Sequence, residues 1–258
     1  MRPLVVDSHQ HFWDPARADY PWMTDDAAAL RRRFSPDDLE PLLRENGVAG
    51  TVVVQARQSL DETRELLALA EVIPFLLGVV GWVDLTGDVP GQLDELRGPL
   101  VGARHLVHDE PDPEWLLRDD VQRGITALGA AGLVYDLLVR TRELPAAIET
   151  ARRHPETTFV LDHVAKRPGA DAEWAKLVAE LARLPNVICK LSGVFTEAQP
   201  EDTVARAIEW FGAKRCMFGS DWPVSLLAVD YPETLAVVGA DEDVRGLTAI
   251  RTYGLDIA

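Results

Sequence analysis

The feature that most limits how this chain can fold is a succession of short apolar, β-rich runs, each followed by a segment of helical character. Eight such runs occur: "LVVD" at 4–7, "TVVVQ" at 51–55, "FLLGVV" at 75–80, "LVGAR" at 100–104, "LVYDLL" at 133–138, "TFVLD" at 158–162, "NVICKL" at 186–191 and "CMF" at 216–218. Most are nearly continuous apolar stretches, the pattern of strands covered on both faces in a parallel sheet. The intervening segments carry helix punctuation. In "SPDDLEPLLRENG", Ser35 supplies a cap, Pro36 the first helical position and Gly47 the stop. "DETRELLALAEV", "DVQRGITALGAAG", "LPAAIETARRHP", "AEWAKLVAELARLP" and "PEDTVARAIEWFG" follow the same plan. Eight strand–helix repeats in roughly 250 residues are the dimensions of a closed (β/α)₈ barrel. The expectation is therefore an α/β protein with one TIM barrel domain spanning residues 1–258, against an open doubly wound sheet, which would show the same alternation. No glycine-rich phosphate loop follows the first strand, and the paired glycines of "GVVGWVDLTGD" and "LGAAGLVYD" lack the strand-to-helix context of a dinucleotide site.

One long irregular piece, "FWDPARADYPWMTDDAAALRRRF" at 12–34, follows the first strand and is rich in aromatics, Pro and Asp. A barrel places part of its active-site face there, and loops longer than about 12–15 residues are commonly functional. The balance of 42 acidic and 26 basic residues, a formal charge of -16, argues against nucleic acid or an anionic membrane as partner. No secretory leader and no apolar run of membrane-span length is visible, so the expected location is cytoplasmic. Cys189 and Cys216 lie in apolar surroundings without CxxC spacing and read as buried structural thiols.

Catalytic groups in a barrel come from the C-terminal ends of several strands. Strand 1 delivers Asp7, His9 and His11; residues two apart in extended backbone point the same way, so the two imidazoles can address one ion or one substrate group. Strand 8 delivers Asp221 in "FGSDWP", and closure makes strands 1 and 8 neighbours. His9, His11 and Asp221 then form two imidazoles and a carboxylate, a set suited to zinc. Strand 6 ends in "LDHVAK", placing His163 on the same rim as a further ligand or a hydrogen-bond donor to a carbonyl. Strand 4 offers Arg104 and His105 as substrate contacts. They alternate in direction, so only one faces the mouth, and the planar fork of Arg104 suits oxygen-rich groups better. Strand 5 supplies Tyr135 but no histidine. Trp22, Trp82 and Trp222 are candidates for holding a ring, and Lys190 on strand 7 reads as a buried stem with a surface head.

The chain resembles the amidohydrolase superfamily, and within it the sugar-acid lactonase branch of L-fucono-1,5-lactonase and L-rhamnonolactonase-like proteins. The resemblance is carried by "VDSHQHFWD", "DYPWM", "TVVVQARQSLDET", "GVVGWVDL", "GLVYDLLV", "FVLDHVAK", "CKLSGVFTEA" and "MFGSDWPV", from residue 6 to about residue 224. It implies a (β/α)₈ barrel and hydrolysis at one rim, with His9, His11, His163 and Asp221 at matching motif positions. It implies a small-molecule aldonolactone as substrate, opened to the acid with Asp221 as general base and His163 assisting at the carbonyl. At most one divalent ion, zinc by its donor set, is implied, since relatives of this branch include metal-free examples in which the histidines bind the carbonyl directly. The other activities of related chains are dicarboxylate or muconolactone hydrolysis and metal-dependent decarboxylation of the aminocarboxymuconate type; the latter would be expected to show a strand-5 histidine. A noncatalytic barrel that binds sugar acids is the reading from outside enzymology. Two departures bear on substrate more than on chemistry. The 198–206 connection is shorter than in relatives, and "EDVRGLTAIRTYGLD" lacks a glycine-asparagine turn before the last helix. Neither sugar identity nor oligomeric state is legible from the sequence.

Overall fold

The computed structural model describes residues 4–169 and 172–257. The eight apolar runs form eight strands: β1 Val5–Gln10, β2 Val48–Val54, β3 Leu76–Gly81, β4 Leu100–His105, β5 Val134–Leu137, β6 Phe159–Leu161, β7 Val187–Leu191 and β8 Cys216–Phe218. They pair in chain order, every pair parallel. The helices between and after them are α1 Pro36–Asn46, α2 Leu60–Val72, α3 Val89–Glu95, α4 Asp119–Ala130, α5 Leu144–Arg153, α6 Ala172–Leu181, α7 Pro200–Phe211, α8 Tyr231–Ala236 and α9 Thr248–Tyr253. Local chemistry sets their limits. At α1 the Ser35 N–H donates to Asp38 Oδ2 at 2.9 Å, Pro36 takes the first turn, and Gly47 ends the helix at φ 67°.

The sheet closes where the two ends of the chain meet. The His11 N–H donates to the Trp222 carbonyl and the Asp221 N–H to the His9 carbonyl, each at 2.8 Å. Gly219 permits this approach, because a Cβ there would lie 2.7 Å from His9 Cβ and 3.1 Å from Ser192 Cβ. Asp7 ties the seam from outside the barrel, accepting hydrogen bonds from the backbone of His9 (3.1 Å) and Ser220 (2.8 Å) and from the Tyr231 hydroxyl (2.9 Å).

Two apolar clusters follow from strand alternation. Val6, Val52, Val54, Val80, Val134, Val160 and Met217 fill the barrel and are closed from below by Tyr253 and Leu255. The opposite faces, including Cys189 and Cys216 as free, buried thiols, pack against the helices. The register between β1 and β4 shifts by one residue at several points, one of them within β1. Asp7 pairs with Thr51 and Gln10 with Val53, so β1 advances three residues where β2 advances two. This bulge turns His9 inward, where strict alternation from Val6 would have put Ser8.

Candidate active site

Above the valine layer the barrel interior becomes ionic. β5 and β7 carry Asp136 and Lys190 one step above Val134 and Ile188, while Arg104 is the last but one residue of β4 and Asp162 follows β6. Lys190, expected to reach a surface with its head, is fully buried: Nζ lies 2.6 Å from Asp136 Oδ2 and 3.1 Å from Asp162 Oδ1. The short reach of its strand position is the reason, since the side chain ends at the barrel centre. Tyr253 donates to Asp136 from below at 2.9 Å. Arg104 Nη1 reaches Asp162 Oδ2 at 2.9 Å and Nη2 the Gln55 carbonyl at 2.7 Å. Two cations thus neutralise two carboxylates. Burial pushes the Asp136 carboxyl up, whereas for Asp162 burial is outweighed by Lys190, His9 and Arg104, which hold it well below the usual range.

The strand-end histidines stand on this layer. His9 Nδ1 faces Asp162 Oδ1 at 3.4 Å, and its Nε2 lies 3.2 Å from Arg104 Nη1, a group that can only donate. His11 Nδ1 lies 2.8 Å from the Val54 carbonyl, which can only accept, so this nitrogen carries the proton and Nε2 the lone pair. The two Nε2 atoms are 3.1 Å apart, and Asp221 Oδ1 is 3.5 Å from the first and 3.4 Å from the second. Three electron pairs therefore converge, with an Arg104 N–H directed at that of His9. Tetrahedral ligands about 2.0–2.1 Å from zinc are separated by roughly 3.3 Å, so the set fits that ion. A second grouping, His9, Asp162 and His163, is also compact. It does not fit, because Lys190 and Arg104 already occupy both Asp162 oxygens.

Asp221 adopts φ 55°, aiming its carboxylate inward. Burial pushes this carboxyl up, but the His163, His11 and His9 imidazoles outweigh it and keep Asp221 ionised. His163 begins a turn in which four successive residues, His163, Val164, Ala165 and Lys166, have φ of 55°, 49°, 58° and 47°. Left-handed backbone costs about 1–2 kcal/mol per residue away from glycine. Buried Val164 and Ala165 and the Trp174 Nε1 hydrogen bond to the Val164 carbonyl (2.8 Å) hold it. His163 Nδ1 is 2.9 Å from Ser192 Oγ, and burial pushes its pKa down to about 4. Gly193 admits this arrangement, since a Cβ there would lie 2.5 Å from His163 Nδ1 and 3.0 Å from Asp221 Oδ2.

A cavity of about 110 Å³ opens over these groups, lined by His11, Arg104, His163 and Asp221, with Trp22, His108 and Lys166 on its walls. Trp22 comes from the 12–34 loop, whose base is clamped by the Trp13–Phe34 bridge, and its Nε1 donates to the Ala56 carbonyl at 3.0 Å. Four other sequence-derived candidates stand apart from this cavity. His105 points outward, stacks on Trp115 with ring centroids 4.1 Å apart, and bonds Glu110 at 2.7 Å. Trp82 donates to the same His105 at 3.2 Å. Tyr135, on the outward parity of β5, packs edge-on against Phe159. Trp222 is buried against Phe12 and Phe34. Arg104, though at the cavity floor, spends its Nη atoms on Asp162, Gln55 and His9. Lys166 carries no sequence signal, because it ends no apolar run, and His108, which follows strand 4 in "GARHLVHDE", has no assigned role from sequence. Among the described residues, none of 194–206 lines the cavity. A larger groove of about 500 Å³ lies outside the mouth, between the 12–34 loop and α2, and contains none of the strand-end groups.

The chain belongs to the amidohydrolase family, whose model matches residues 6–255. Its similar relatives include an L-fucono-1,5-lactonase of Burkholderia ambifaria, 44% identical over 86% of this chain and 81% of the relative. An L-fucono-1,5-lactonase of Burkholderia multivorans is 39% identical over 99% of this chain and 97% of the relative. Among solved structures, an amidohydrolase from Burkholderia multivorans with bound zinc superposes with a TM-score of 0.94 at 39% identity, covering 98% of this chain and 100% of that one. No helix among the described residues is long and apolar enough to cross a membrane.

Proposed function

We propose that the protein hydrolyses a sugar-acid lactone, of the aldonolactone class to which L-fucono-1,5-lactone belongs, to the open-chain acid. The observation that carries this reading is the convergence of His9 Nε2, His11 Nε2 and Asp221 Oδ1, each within 3.5 Å of the others, beside a carboxylate oxygen left free. No hydrogen bond reaches Asp221 Oδ2 among the described residues. One oxygen of Asp221 thus belongs to the converging set and the other is available to take a proton from water.

Zinc held by His9, His11 and Asp221 would polarise the lactone carbonyl and ease deprotonation of water toward about pH 7. The protein groups do the rest. Asp221 Oδ2 accepts the proton of the attacking water. With the Ser192 hydroxyl as donor to His163 Nδ1, 2.9 Å away, the neutral imidazole would keep its ring proton on Nε2, where it can hydrogen-bond the carbonyl oxygen as negative charge develops. A donor so placed contributes roughly 3–4 kcal/mol to the transition state. The proton on Asp221 then passes to the ring oxygen as the C–O bond breaks. β5 provides no histidine, which disfavours the decarboxylase alternative.

The test is a pH-indicator assay over five- and six-membered sugar lactones, with elemental analysis of the purified protein before and after chelation. Acid release from at least one hydroxylated lactone, with close to one zinc per chain, is the expected result. Carbon dioxide release without lactone opening would replace this reading by decarboxylation. Saturable binding without turnover would replace it by a sugar-acid receptor. Full activity with negligible divalent ion would move His9 and His11 to direct carbonyl binding.

A further inference from the structure

The left-handed turn after β6 ends in a second functional side chain. His163 and Lys166 are its two ends, both line the cavity, and buried Val164 and Ala165 fix the segment between them. The turn therefore fixes the backbone direction from which each side chain leaves.

The Lys166 ammonium has no ion pair and no hydrogen bond among the described residues, in contrast to Lys190, which has two carboxylates. Burial pushes its pKa below the ordinary lysine value, with Asp221 and Glu197 opposing and Arg140 and Arg104 reinforcing that shift. His108 and His163 complete the titratable groups around it. No carboxylate lies within 4 Å, yet Glu197 is close enough to act on it through space. A half-buried ammonium without a protein partner gains from a ligand that supplies an acceptor. Its setting defines that ligand. The ammonium donates only, so the ligand must present an acceptor to this wall of the cavity, beside Asp221, which accepts only. A sugar hydroxyl both accepts and donates.

We propose that Lys166 is a specificity-determining residue that hydrogen-bonds a hydroxyl of a polyhydroxylated lactone. This rests on the lactone-hydrolase reading above. It assigns the discrimination between hydroxylated and unsubstituted rings to the β6 turn.

The experiment compares kcat/KM for the best hydroxylated lactone with kcat/KM for δ-valerolactone, which has no hydroxyl, in wild type, Lys166→Met and Lys166→Gln. The ratio of the two constants should fall about 10- to 100-fold in Lys166→Met, the range for a hydrogen bond to a charged group. Lys166→Gln, which retains a neutral donor, should fall between the two. Thermal unfolding of each variant shows whether it is folded, and Lys166→Gln carries the comparison if Lys166→Met is not. A ratio within twofold of wild type in a folded variant, whether activity is retained on both substrates or lost equally on both, would overturn the proposal. A wild-type protein that opens no hydroxylated lactone would overturn the lactone reading itself, and this inference with it.

Discussion

Two polar layers lie one above the other in this barrel, and they differ in how their charges end. In the lower layer, Asp136, Lys190, Asp162 and Arg104 meet opposite charge at 2.6–3.1 Å. In the upper layer, His9 Nε2, His11 Nε2 and Asp221 Oδ1 sit 3.1–3.5 Å apart with electron pairs facing one another. Buried polar groups that satisfy each other hold a structure; buried groups whose lone pairs converge on one point define a place for something else. The contrast separates scaffold from chemistry without reference to any relative.

The largest effect should come from breaking the upper layer. Asp221→Asn should lower kcat for lactone opening by about 10³-fold or more, the scale of general-base loss, with the melting temperature close to wild type. Turnover near wild type would show that another group takes the proton. Lys190→Met should do the reverse. Removing one partner of a buried ion pair costs about 3–5 kcal/mol, so the melting temperature should fall on the order of 10 °C. Calorimetry decides: unchanged melting would mean the lower layer contributes little to holding the barrel.

Another buried carboxylate, intermediate in its pairing, sharpens the comparison with a smaller effect. Glu62 accepts from the backbone N–H groups of Ala56 at 3.0 Å and Arg57 at 2.7 Å, but burial still pushes its pKa up to about 7. A folded pKa above the unfolded one stabilises fully below the unfolded value of 4.5 and ceases to do so as pH rises through about 7. Glu62→Gln removes this dependence. Its stability relative to wild type should therefore improve by on the order of 3 kcal/mol between pH 4.5 and 8. A difference in unfolding free energy that stays flat with pH would show that the protein keeps Glu62 ionised throughout.

Much of the barrel was legible because parallel strands buried on both faces read as apolar runs, and because Ser35, Pro36 and Gly47 mark α1 chemically. The convergence of His9, His11 and Asp221 was legible once closure made strands 1 and 8 neighbours. The reason both histidines face inward was not, since a β1 bulge leaves no residue signature in "VVDSHQH". Lys190 could have been found by parity: it shares the inward direction of Ile188, and a lysine above an apolar barrel layer needs buried carboxylates. His105 and Tyr135 fell on the outward parity of their strands, and Trp82 and Trp222 were absorbed by packing. Lys166 gave no periodic signal, because its place depends on four left-handed residues that sequence propensity does not foretell.

The seam that Gly219 makes possible has a consequence for how the protein comes into being. Ser220 and His9 touch across it although they are 211 residues apart in the chain. A ribosome therefore releases His9 and His11 long before the carboxylate that completes their set exists. The metal-ready arrangement forms only when the last strand docks against the first. Ion affinity should thus grade the chain's maturity, with full coordination withheld from every truncated or half-closed form.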